Sequence, residues 1–202
     1  ERPKAQAPAA APRADVETTG SIGRRAAAPA APVPAPARDA ALPSLSDKLP
    51  AALRIAAAKG QPAAEYEVGT RFLDGKSVPQ NAEEGVRWLE RAARSGIAPA
   101  NFRLGGIYEK GLGVRKNVNL ARSYYIAAAE RGHAKSMHNL AVLYAEGIDG
   151  KPDYKTAAEW FRRASEFGIA DSQYNLGILL ARGIGMEQNL TESYKWFALA
   201  AL

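Results

Sequence analysis

Four glycines, Gly60, Gly96, Gly132 and Gly168, stand 36 residues apart, and Gly75, Gly111, Gly147 and Gly183 keep the same interval. Nothing else in the chain constrains its fold so tightly. The apolar series Val68, Leu104, Leu140, Leu176 shares this register with Phe72, Tyr108, Tyr144, Leu180. So do Trp88, Tyr124, Trp160, Trp196 and Leu89, Tyr125, Phe161, Phe197. Small residues recur at Gly69, Gly105, Ala141, Gly177, at Gly85, Ala121, Ala157, Ser193 and at Ala92, Ala128, Ala164, Ala200. A fixed period of this length marks stacked supersecondary units, none of which can bury its apolar face alone.

Each unit reads as two helices. Ala64, Val68 and Phe72 fall at i, i+4 and i+8, one apolar stripe of a first helix. The Gly75 series ends that helix, since glycine takes the left-handed conformation just past a helix terminus. Asn81, Asn117, Asp153 and Asn189 precede the second helix as N-caps, and Asn81/Glu84 and Asn189/Glu192 have the spacing of a capping box. Trp88, Leu89 and Ala92 face inward, and the Gly96 series closes the unit. Pro79 and Pro152 fall in the inner loops, and Pro62 and Pro99 between units. The prediction is an all-α, right-handed superhelical solenoid of helix-turn-helix repeats. Its array spans 46–202: a partial repeat 46–62, repeats 63–98, 99–134 and 135–170, and a truncated repeat 171–202. Leu202 ends an apolar helix without a cap, so the array is expected to continue beyond it.

Residues 1–45 form a different kind of chain. Residues 1–43 hold 8 of the 13 prolines and 15 alanines but no aromatic residue, too little apolar surface to offset the entropy of ordering. A disordered Ala/Pro-rich linker is expected, with Arg24-Arg25 as solvated charges. The absence of cysteine excludes disulfides, thiolate metal sites and cysteine nucleophiles. The net charge of +6 falls short of the one-sided clustering that marks a nucleic-acid binder, so none is expected as a partner. No apolar run approaches the roughly 20 residues needed to span a bilayer, so membrane attachment would come through a segment outside residues 1–202.

Asn-Leu-Gly at 175–177, Tyr-Glu-Lys-Gly-Leu-Gly-Val at 108–114 and Ala-Ala-Glu-Arg-Gly-His-Ala at 128–134 resemble Sel1-like repeats, a branch of the tetratricopeptide-type solenoids. Two places depart from the pattern: Arg71 replaces the apolar residue found at Ile107, Leu143 and Leu179, and Asp149-Gly150 alters the third inner loop. The missing cysteines separate the chain from the disulfide-clamped branch of the family. The resemblance implies a non-catalytic scaffold that binds other proteins, often in regulation of the bacterial envelope. The Ala/Pro tether followed by repeats is also similar to the periplasmic region of alphaproteobacterial polar localisation factors. That likeness implies a periplasmic module of a longer inner-membrane protein. A secreted periplasmic regulator of a signalling receptor and an adaptor for a peptidoglycan-remodelling enzyme are the alternatives. The expected partners are therefore other proteins, with peptidoglycan or its enzymes a further option.

Catalytic chemistry has no candidate, and no cofactor or metal site is predicted. His133 and His138 are five apart and do not share a helix face; His133 decorates a turn, and His138 replaces an aromatic ring. Glu83-Glu84 serve cap and dipole. Gly111-Leu112-Gly113 belongs to the helix-stop glycines rather than to a phosphate loop. Tyr66, Phe102, His138 and Tyr174 lie about 200° round the first helix from the Val68 series. They either pack between successive units, the plainer reading, or line a partner-binding groove as an aromatic ladder. Asn101, Asn139 and Asn175 flank them and are expected to form one polar row, either able to clamp a peptide backbone or simply solvated. Arg87, Arg91 and Arg94 at i, i+4 and i+7 form a candidate basic stripe, either a solvated face or a surface for an acidic partner or the anionic glycan of the cell wall.

Overall fold

The structure, a computed structural model, describes residues 45–148 and 150–202. Residues 1–44 of the predicted linker, with its Arg24-Arg25 pair, and Asp149 lie outside the described residues, whereas Leu45 packs against the first core cluster. Nine helices run through the described part: α1 (Ala51–Ala58), α2 (Pro62–Asp74), α3 (Ala82–Arg94), α4 (Ala98–Lys110), α5 (Val118–Ala129), α6 (Ala134–Glu146), α7 (Tyr154–Glu166), α8 (Ala170–Arg182) and α9 (Leu190–Ala200). Helices α2, α4, α6 and α8 are first helices, each paired with the second helix that follows, and each second helix packs on the next first helix. The result is an α-solenoid of two layers. None of these helices is long and apolar enough to cross a membrane.

The register is a core register. Val68, Leu104, Leu140 and Leu176 are each fully buried, as are Trp88 and Leu89. Burial of one such side chain contributes about 1.5–3 kcal/mol relative to leaving it exposed, so the stripe along the axis is the main source of cohesion. Two glycines let the helices of a unit approach. A Cβ on Gly105 would stand 2.5 Å from the Tyr125 ring, and one on Gly177 would stand 2.8 Å from Phe197.

Asn81, Asn117, Asp153 and Asn189 cap as expected, each side-chain oxygen accepting from the backbone N–H three residues on. Their own backbone N–H groups donate to Phe72, Tyr108, Tyr144 and Leu180 at 2.8–2.9 Å, tying every inner loop to its first helix. This excludes the capping box, because the donor that Glu84 or Glu192 would serve is already used. Glu84 pairs with Arg87 instead, and Glu192 with Arg162 and the Trp196 indole. Pro62 and Pro99 are also relocated, from between units to the first turns of α2 and α4, where a missing N–H removes no helical bond. Gly147 ends α6 at φ 92°, ψ 112°, outside the left-handed geometry of Gly75, Gly111 and Gly183.

Candidate functional site

The first helices of units two and three are separated by an open hollow of about 480 Å³, between α4 and α6 and floored by Tyr125 of α5. Phe102, Ile107, Leu112 and Val142 supply apolar wall; Arg103, Glu109, Lys110, His138 and Asn139 supply polar groups. Its origin is visible in the repeat register. Gly106 occupies the position of Thr70, Val142 and Ile178, so one side chain is missing from the wall. Tyr125 stands where the other units have Leu89, Phe161 and Phe197, which brings a hydroxyl to the floor. Glu109 stands where they have Leu73, Ala145 and Ala181.

These departures touch one another. The Tyr125 hydroxyl donates to Glu109 Oε2 at 2.6 Å and accepts from Asn139 Nδ2 at 3.0 Å. Burial, then the Glu109 hydrogen bond, push the tyrosine far above its ordinary pKa. Arg103 turns its guanidinium to Asp74 at 2.7 Å, across to α2. His138 hydrogen-bonds Ser172 of α8 through Nδ1 at 2.7 Å, and burial lowers its pKa, with Asp171 acting weakly in the opposite direction.

The predicted residues are dispersed around this centre. Phe102 and His138 line the hollow, whereas Tyr66 packs into the core beside α3 and Tyr174 is 55 % exposed against Phe197, at 5.5 Å. No ring of this series stacks on the next among the described residues. Phe102 meets Tyr125 at 6.1 Å and His133 at 4.6 Å, while His138 meets Phe161 at 5.8 Å. The four therefore do not make a continuous ladder. His133 does more than decorate its turn: it caps α6, its Nδ1 accepting from Ser136 N–H at 3.3 Å.

The asparagine row also needs correction. Asn139 and Asn175 share a register with Glu67 and Arg103; Asn101 stands two positions away, in line with Glu65, Met137 and Gln173, all buried. Its amide donates to Ala93 and Ile97 carbonyls, and the Gln173 amide similarly reaches the Ser165 carbonyl, so both join a first helix to the end of the preceding second helix. Asn101 cannot clamp a peptide. Asn139 is in the hollow and Asn175 is half-buried on α8. The basic stripe is largely neutralised: Arg87 pairs with Glu83 at 2.8 Å, and Arg91 forks onto the buried Glu65 at 2.8–2.9 Å, leaving Arg94 exposed.

Gly106, Glu109 and Tyr125 escape a reading that looks for agreement between repeats. Their signal is disagreement: a glycine, an acid and a hydroxyl at register positions filled otherwise by larger or apolar residues. No group of three or more histidine, cysteine or acidic side chains able to hold a metal occurs among the described residues.

A two-layer α-solenoid of helix-turn-helix units places the chain in the class of helical repeat proteins. The Sel1 repeat profile matches residues 62–97, 98–133, 134–166 and 170–202, and the chain belongs to the Sel1 repeat family. Repeats of this family are generally non-catalytic scaffolds for protein–protein interaction. A Sel1 repeat protein from Oxalobacter formigenes is similar over 74% of this chain and 61% of its own, at 26% identity and TM-score 0.68. c5321, a protective antigen present in uropathogenic Escherichia coli strains and displaying an SLR fold, is similar over 74% of this chain and 32% of its own, at 31% identity and TM-score 0.70. The chain thus spans about three fifths and one third of the lengths of these two proteins. No curated protein matches the chain.

Proposed function

We propose that the array grips an extended segment of a partner protein along its first-helix face, with the unit-two hollow as the anchor point. The observation that carries this is the convergence of Gly106, Glu109 and Tyr125, each a departure from its register, on one open hollow. Local rules broken together in one place point to a site. Stacked repeats supply the rigid surface that such a site needs.

A photo-crosslinking residue in place of Asn139 should give a discrete adduct in cells, absent when the same residue replaces Arg94 on the opposite layer. Equal adducts from both positions would overturn the reading. The setting we propose is the bacterial envelope, as a periplasmic module of a membrane-tethered polarity factor. Its support is the Ala/Pro tether ahead of the repeats and the similarity to a protective antigen. An alkaline phosphatase fusion in the native host should be active; an inactive, stable fusion would exclude export.

A further inference from the structure

We infer that the unit-two hollow takes a lysine or arginine side chain of the bound segment, its aliphatic stem against Phe102 and Val142 and its cationic head on Glu109. This rests on the groove reading above and adds the chemical class of the anchor.

The floor offers acceptors. Tyr125 spends its proton on Glu109 Oε2, so the pair carries one full negative charge. Glu109 Oε1 and Asn139 Oδ1 have no hydrogen-bond partner among the described residues. Two cations adjoin the site. Arg103 is held at 2.7 Å by Asp74, which balances its charge, and Lys110 is exposed at the rim on a long flexible stem. Neither makes a hydrogen bond or ion pair with Glu109. The walls suit a Lys or Arg stem, because Phe102, Ile107, Val142 and Leu112 are apolar and the Phe102 ring can face a cation. An acidic side chain would meet the Glu109 carboxylate. A purely apolar one would remove Glu109 Oε1 from water without replacing the lost hydrogen bonds. A basic side chain leaves neither deficit.

Unit three supplies one variant that fits its local backbone. Gly106→Val introduces the residue of unit three, and a Cβ there meets nothing closer than the Tyr125 hydroxyl at 3.6 Å, an ordinary contact. Glu109→Gln removes the charge while keeping an acceptor for the tyrosine. Four peptides, acetyl-Ala-Ala-Xaa-Ala-Ala-amide with Xaa as Lys, Arg, Glu or Leu, would be titrated into the 15N-labelled chain. The Lys and Arg peptides should move the amides of Gly106, Glu109 and Asn139 saturably, and the Glu and Leu peptides should bind at least about tenfold more weakly. Glu109→Gln and Gly106→Val should each weaken the basic peptides about tenfold, with an otherwise unchanged amide spectrum. Equal or tighter binding of the Glu or Leu peptide at these amides refutes the cationic anchor but leaves the groove reading in place. No saturable shift with any peptide refutes the anchor, and the Asn139 crosslink then decides separately whether the groove reading falls with it.

Discussion

Arg91 and Glu65 form the most deeply placed ion pair among those described, and its two halves should fail unequally. The Glu65 side chain is 4% exposed and that of Arg91 22%, with both Nε and Nη2 on Glu65 Oε1. At an effective dielectric near 20, two charges at this separation attract by about 6 kcal/mol before desolvation is subtracted. Arg91→Ala leaves the carboxylate buried without a counter-ion, a loss of about 3–5 kcal/mol. It also removes the guanidinium lying 5.3 Å over Trp88. Glu65→Met should cost about 1–2 kcal/mol, because the remaining charge is the one with access to water, and because unit three places Met137 in the same slot at 5% exposure. The double variant Glu65→Met/Arg91→Met should recover most of the loss, since no buried charge is left. Chemical denaturation followed by circular dichroism gives the overall loss. Hydrogen exchange at α2 and α3 amides shows whether it sits in unit one, as nearest-neighbour stacking requires. Equal costs for Arg91→Ala and Glu65→Met, or a double variant no better than Arg91→Ala, would refute this account.

A Cβ on Gly185, at φ 73°, would stand 2.3 Å from the Tyr154 carbonyl oxygen, so Gly185→Ala should destabilise by about 2–4 kcal/mol in thermal melts. Ser77 holds the equivalent left-handed position at φ 66°, and Ser77→Gly should stabilise by up to about 1 kcal/mol. Gly105→Ala should cost about 1–3 kcal/mol by displacing the Tyr125 ring, measured by urea midpoint, despite alanine's better helix propensity. Burial holds His138 below its ordinary pKa, so the stability it contributes is complete above about pH 6.5 and is lost as pH falls through the lower folded value. His133 shifts in the same direction, through burial and then Lys135, and adds to the same acid-side loss. His138→Phe, which copies Phe102, should therefore flatten the midpoint between pH 7 and 5; an unchanged slope would assign the whole effect elsewhere.

The fold was legible because stacking makes each position answer to the same neighbours in every unit. Trp88, Tyr124, Trp160 and Trp196 are buried for one shared reason, so their spacing reports their burial directly. The capping residues were legible too, since an Asn or Asp ahead of a helix has a local job. What the period could not give was the partner of each polar side chain. Asn101 and Asn139 are the same residue type on neighbouring helices, yet a two-position offset, about 200° of helix, sends one into a buried junction and the other to the hollow. The Arg87/Arg91/Arg94 stripe misleads for a related reason. Glu65, which neutralises Arg91, is 26 residues away and on another helix, beyond any i, i+4 argument.

Repetition also supplies internal controls that a single-copy fold lacks. The Tyr125 position is filled by Leu89 and Phe161 in neighbouring units, both buried without a hydroxyl, so packing does not require one there. The same reasoning applies to Glu109 against Ala145, and to Gly106 against Val142. Gly106 and Glu109 forgo apolar contact that another unit obtains, and the Tyr125 hydroxyl, on a ring as buried as Phe161, needs Glu109 and Asn139 merely to satisfy its oxygen. A polar group that creates the need for its own partners is weak as a stability device. It is well suited to holding acceptors in fixed positions at the base of an opening. Arg71 provides the contrast: it too departs from its register, but its guanidinium ends on Glu67 of its own helix and the Ser77 hydroxyl of the loop that follows. The distinction between a structural departure and a functional one is therefore geometric. It lies in whether hydrogen-bonding capacity remains at an open surface after the neighbours are satisfied, and in unit two it does.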